Sequence, residues 1–119
     1  MKKLLLVTII TALTMTSIVS APKAQAADIA QSICDYIAAD DKKRMRSFLK
    51  SNKLKIRNIF SGIQCNGKNL LEFAATSGSV KTGTLMISKL PKQTVSDNLV
   101  HIQNGSQPLI DAANKRVSS

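Results

Sequence analysis

Residues 66–75 read Asn66-Gly67-Lys68-Asn69-Leu70-Leu71-Glu72-Phe73-Ala74-Ala75, and residues 104–113 read Asn104-Gly105-Ser106-Gln107-Pro108-Leu109-Ile110-Asp111-Ala112-Ala113. The two stretches align at an offset of about 38 residues, each a turn dipeptide followed by an apolar segment that closes on paired alanines. The same step back from Leu71 lands on Ile33, and Phe48-Leu49 lines up with Met86-Ile87. This self-similarity predicts an all-α fold, a small stack of helix–turn–helix hairpins. The expected units are 28–65, 66–103 and a truncated 104–119.

Periodicity places the helices. Between Asp28 and Ala39, the residues Ile29, Ile33, Tyr36 and Ile37 fall on one helical face. Asp40 and Asp41 stand where a second helix begins, and acids suit its positive end. Its inner face is Met45, Phe48 and Leu49, and Ser51-Asn52 ends it. The stretch from Lys53 to Ile63 is ambiguous: 53–57 alternates like a strand, while Ile56, Ile59, Phe60 and Ile63 are spaced like a helix. A short helix near Ile56–Phe60 is expected. A third helix starts at Leu70 and stops at Gly78. A fourth runs from Val80 to Leu90, with Met86, Ile87 and Leu90 inward, Gly83 as a weak point and Pro91 as a stop. Pro108 to Lys115 is expected to form the last helix, its proline in the first turn.

The N-terminus has the form of a secretory signal. Lys2-Lys3 gives a positive start, Leu4 to Val19 is uncharged, and Ala24-Gln25-Ala26 matches an A-x-A cleavage site. A membrane anchor needs roughly 20 apolar residues, and this shorter run is interrupted by Thr8, Thr11, Thr14 and Thr16. The expected organisation is a signal peptide over 1–26 and a single small helical domain over 27–119, without a membrane span. The destination is the bacterial periplasm or the exterior. Of 17 cations, loss of Lys2, Lys3 and Lys23 leaves about 14 against 7 acids, a net charge of about +7.

Cys34 and Cys65 both fall in the mature part. An even count in an oxidising compartment favours one disulfide. The alternatives are two free thiols or a metal pair, although two cysteines with a distant His101 fall short of a four-ligand zinc site. A bridge closing a loop of about 32 residues contributes about 3.5 kcal/mol on the chain-entropy model.

Two resemblances follow from these residues. Asn104-Gly105, Pro108-Leu109 and Ala112-Ala113 match one copy of the ankyrin repeat pattern. Asn66-Gly67, Leu71, Ala74-Ala75, Gly78 and Met86-Ile87 match another. The sequence departs from that pattern in its longer period and in Cys34, Glu72 and Ile110, which replace the motif's histidine. An ankyrin-like stack implies that the position of Cys34 faces the turn into the next repeat, so a Cys34–Cys65 bond would staple the first unit to the second. The set Cys34, Asp40-Asp41-Lys42, Arg44-Met45-Arg46, Cys65-Asn66-Gly67 and Leu70-Leu71 with Phe73-Ala74 resembles an uncharacterised family of short exported bacterial proteins, over roughly Ile29 to Thr94. That resemblance agrees with paired cysteines and implies no activity.

The conspicuous candidate site is basic. Lys42, Lys43, Arg44, Arg46, Lys50, Lys53, Lys55 and Arg57 follow one another with no acid among them. Such a stripe fits lipopolysaccharide, a related anionic polymer or the acidic face of an envelope protein; a solvated outer helix face is the alternative. Nucleic acid is disfavoured by export and by aromatics, Phe48 and Phe60, that read as core. Catalysis has no motif: His101 is the only histidine, and no nucleophile elbow, zinc helix or phosphate loop occurs. Adjacent Asp40 and Asp41 point apart on a helix start, so they read as caps rather than an acid–base pair. The cysteines lack the C-x-x-C spacing of a redox catalyst. The expectation is an exported, non-catalytic protein without cofactor or metal. It is read first as a protein-binding module and otherwise as a binder of anionic envelope components.

Overall fold

The computed structural model describes residues 21–119, with side-chain surroundings from residue 26 onward. The expected signal segment therefore lies almost wholly outside the described residues. Those residues form eight α-helices and a short 3₁₀ turn, with no strand among them: α1 (Ala21–Ala38), α2 (Lys42–Ser51), α3 (Ile56–Ile59) running into the 3₁₀ turn Phe60–Gly62, α4 (Leu70–Thr76), α5 (Val80–Lys89), α6 (Lys92–Asp97), α7 (Leu99–Ile102) and α8 (Gln107–Ser118). The ambiguous stretch resolves as helix at α3. α1 begins upstream of the expected start at Asp28, because nothing between Ala24 and Ala27 breaks a helix.

The hairpins are closed by left-handed residues. α1 ends in a Schellman closure: the Asp41 amide donates to Tyr36 O at 2.8 Å, the Asp40 amide to Ile37 O at 2.9 Å, and Asp40 takes φ +53°. α4 ends the same way at Gly78 with φ +71°, through the Ser79 amide to Ala74 O at 2.9 Å. α2 closes at Lys53, also at φ +53°. The two Asn-Gly pairs differ. Asn66 and Gly67 both take positive φ, and Cys65 and Lys68 exchange backbone hydrogen bonds of 2.8 and 3.0 Å around them. Asn104-Gly105 instead continues the α7 exit in right-handed turns.

Asp40 and Asp41 both cap, but they cap different helices. Asp41 accepts from the Arg44 amide at 3.1 Å and so starts α2. Asp40 reaches 42 residues ahead, where its carboxylate accepts from the Thr82 amide at 2.8 Å, the Thr82 hydroxyl at 3.1 Å and the Lys81 amide at 3.2 Å. It thereby occupies the N-terminus of α5, whose own Ser79 makes no side-chain cap and donates its hydroxyl to Ile37 O. The end of α1 and the start of α5 are thus locked together. Replacing Asp40 by alanine is expected to cost about 2 kcal/mol, since it removes the cap and leaves a Cβ residue in the left-handed region without compensation. Asn at the same position retains an acceptor oxygen and tolerates that backbone, and should cost under about 1 kcal/mol. Urea unfolding of the two variants checks this; equal losses would contradict the trans-cap.

α5 is the central element, touching α1, α2, α3, α4 and α8. The core around it is aliphatic, with Ile33, Ile37, Met45, Leu70, Leu71, Met86, Leu90, Ile102 and Leu109 fully buried. The four aromatics sit half-buried at its margin, where Tyr36 and Phe48 meet edge to face with centroids 5.5 Å apart. Gly83, read from sequence as a weak point, is instead a close-packing position. A Cβ there would lie 2.6 Å from Leu109 Cδ1 and 3.4 Å from Ala74 Cβ, so its lack of a side chain lets α8 approach α5.

The segment between Pro91 and Gln103 carries two helices that periodicity missed. Pro91 ends α5 and, with φ −60° and ψ 149°, also serves as N-cap of α6. Asn98 at the α6–α7 junction is buried, and the Asn69 side-chain amide donates to its Oδ1 at 2.6 Å. Asn69 in turn caps α4 by accepting from the Glu72 amide at 2.8 Å. α8 rests mainly on α5, α6 and α7. Among the described residues no helix is long and apolar enough to cross a membrane.

Candidate cationic cleft

α2 divides its own charges by helical position. Met45 and Leu49 point into the core, which leaves Lys42, Arg46 and Lys50, spaced by four, as a row along one edge. Arg44 falls on the opposite edge, 3.4 Å from Asp41 in an exposed pair worth little to stability. The eight cations of the stripe therefore do not form one surface.

Four of them converge. Arg46 and Lys50 from α2, with Lys55 and Arg57 from the α3 approach, line a cleft of about 560 Å³. Two cations from distant parts of the chain complete it: Lys89 at the end of α5 and Arg116 near the end of α8. Its floor is aliphatic, made by Leu49, Leu54, Ile56 and Leu85, and Ser88 is its only uncharged polar residue. No carboxylate lines it. The cleft lies where the C-terminal turns of α2, α5 and α8 come together, and their partial negative ends offset some of the repulsion among the cations.

Arg116 is held in the wall. One of its terminal nitrogens donates to Leu90 O, the C-cap of α5, at 3.0 Å. Its Nε is buried with no hydrogen-bond partner, so the guanidinium is short of one acceptor. Sequence reasoning missed both Lys89 and Arg116. The only available signal was that each stands in the last turn of a helix, and that does not say which helix ends meet.

The other stripe residues lie elsewhere. Lys42 and Lys43 border a second open hollow of about 620 Å³ that Arg46 also reaches, together with Lys81, Asp40 and Asp41. The two carboxylates there counter the field that an anion would need. Lys43 and Arg44 flank a shallow third hollow beside Tyr36 and Phe48. Lys53 occupies the exposed left-handed turn after α2 and lines none of the three.

Cys34 and Cys65 form a disulfide with Cα atoms 5.6 Å apart. It ties α1 to the Cys65–Lys68 turn that introduces α4, the junction at which the first hairpin meets the second. Among the described residues no three His, Cys, Asp or Glu side chains gather into a group. His101 Nδ1 stands 3.3 Å from Glu72 Oε2, an ion pair only when the imidazole is protonated. No hydroxyl among the described residues donates to that ring.

No curated protein and no solved structure matches the chain. A family model described as "Protein of unknown function (DUF3718)" matches residues 33–97. That segment contains both cysteines, the two capping aspartates and every cleft cation except Arg116. By this match over more than half of its length, the chain belongs to the DUF3718 family, whose function is unknown.

Proposed function

We propose that the protein is an exported, non-catalytic binder of anionic envelope components, and that the cleft between α2, α3, α5 and α8 is its binding site. The observation that carries this reading is that six cations and no carboxylate line one hollow together with Leu49, Leu54, Ile56 and Leu85. Like charges repel, and a surface built for stability alone intersperses both signs. Here cations from four separate elements converge on one hollow, and an anionic ligand supplies the missing counter-charge. Export rests on the signal-like residues 1–26, with cleavage after Ala26 and a mature domain from Ala27. The disulfide and the lack of a membrane-length helix among the described residues are compatible with it.

A protein-binding module is the competing role. The acidic face of an envelope protein would meet the same cations. A hollow of about 560 Å³ is, however, in the range of small-ligand sites. The compact anionic ligand is therefore preferred.

The mature chain should be retained on immobilised heparin and lipopolysaccharide at low salt. Affinity should fall by about 10²–10³-fold between about 50 and 200 mM salt, as expected when four to five counterions are released. Passage through both supports at low salt would refute the anion-binding role.

A further inference from the structure

We infer that the ligand of the cleft is an amphiphile: a phosphate-headed lipid whose head sits among the cations and whose acyl chain lies along the aliphatic floor. The inference rests on the anion-binding role proposed above and names the class of ligand. A site for a water-soluble polyanion needs cations and no floor. Such a ligand carries charge along its length and gains nothing from apolar surface. This cleft combines the two. Leu54, half-buried at the edge, offers apolar surface, while Leu49, Ile56 and Leu85 line the cleft with 8%, 2% and 8% of their surface exposed.

The cations suit a phosphate in particular. Arg46 and Arg57 present exposed planar guanidinium groups of the kind that pair with phosphate oxygens two at a time, while Lys50, Lys55 and Lys89 add point charges and Arg116, tied to Leu90 O, adds a fixed one. Arg116 lines the cleft as well, and its Nε is buried without an acceptor. To six cations without an acid, a phosphomonoester head brings two negative charges where a carboxylate brings one. The floor lacks aromatic rings and hydrogen-bonding groups other than Ser88, which suits a saturated chain rather than a sugar or a base.

The test uses the mature chain and monomeric alkyl phosphates of about six, eight and ten carbons, kept below their micelle concentrations, with inorganic phosphate as the chainless probe. Binding is followed by calorimetry. Each added pair of methylenes should tighten binding about four- to fifteenfold, the range from a half-buried to a fully buried chain. In Leu54→Ser the tightening per added pair of methylenes should be smaller than in the wild-type chain. Leu54 is chosen because it is only half-buried, and an unchanged melting temperature verifies that the variant is folded.

Affinities that do not change with chain length, with heparin retention intact, would overturn the amphiphile and leave the anion-binding role standing. Absence of both alkyl phosphate binding and heparin retention would overturn the two together. Binding of an acidic amphipathic peptide by a protein that ignores every alkyl phosphate would likewise overturn the lipid in favour of a protein partner.

Discussion

Replacing Cys34 and Cys65 together by alanine should lower stability by about 3.5 kcal/mol and the melting temperature by about 15–25 °C. The bond closes a loop with a sequence separation of 31 residues, and its loss restores that loop's freedom to the unfolded chain. Small domains retain only about 5–15 kcal/mol in total, so this is a large fraction of what holds the fold. The damage should also be local. α1 rests on α2, α4 and α5 through a few side chains, Ile33 and Ile37 chief among them, and the bridge fixes its penultimate turn to the entrance of α4. Amide exchange in the double variant should therefore accelerate most in α1 and around Asn66-Gly67, before α5 and α8. A double variant melting within about 3 °C of the wild type would show that the bridge merely decorates an already rigid junction. Substituting both cysteines keeps the comparison clean, because a single substitution would strand a thiol at the buried Cys65 position.

The second large effect concerns binding. Changing Arg46, Lys50, Lys55 and Arg57 to glutamine should weaken binding to an anionic surface by about 10³-fold, at about 1 kcal/mol per cation near such a surface. The salt dependence should flatten by about three to four units of slope, since that many fewer counterions are released. Stability should change little. All four side chains are exposed, none forms a salt bridge among the described residues, and surface substitutions of this kind usually stay within about 0.5 kcal/mol. The loss of affinity is therefore separable from unfolding by one melting curve.

Much of the fold could be read in the sequence because its longer helices are amphipathic. Ile33 and Ile37, Met45 and Leu49, and Met86 with Ile87 announce their faces by spacing alone, and all are buried. Local turn chemistry was equally readable at Asn66-Gly67 and at Gly78, where the backbone takes the positive φ those residues favour. What escaped lacks a local signature. α6 contains a single buried apolar residue, Val95, so no period marks it, and Pro91 reads as an ending when it is also a beginning. Gly83 looks like a helix weakness until Leu109 is brought against it from another helix. Asp40 looks like a cap for the helix that follows it, yet its partners are Lys81 and Thr82, on a helix that only the tertiary fold delivers.

The candidate site shows the same division. Charge density marked Arg46, Lys50, Lys55 and Arg57 as part of a longer basic stripe, and composition alone made its eight members equivalent. Folding makes them unequal. Helical phase sends Arg44 to the far edge of α2, the left-handed turn carries Lys53 away, and the carboxylates of Asp40 and Asp41 stand beside Lys42 and Lys43. The remaining four acquire Lys89 and Arg116 as neighbours only because the ends of α5 and α8 arrive beside α2.

That inequality gives the most direct test of the cleft as the binding site. Two variants of identical net charge are compared on lipopolysaccharide across a salt series: Arg46, Lys50, Lys55 and Arg57 changed to glutamine in one, and Lys42, Lys43, Arg44 and Lys53 in the other. If the cleft binds, the first loses about 10³-fold in affinity while the second stays within about tenfold of the wild type, the residual loss reflecting only long-range attraction. Equal losses in the two variants would mean that net charge alone draws the protein to anions, and that the cleft has no part in it.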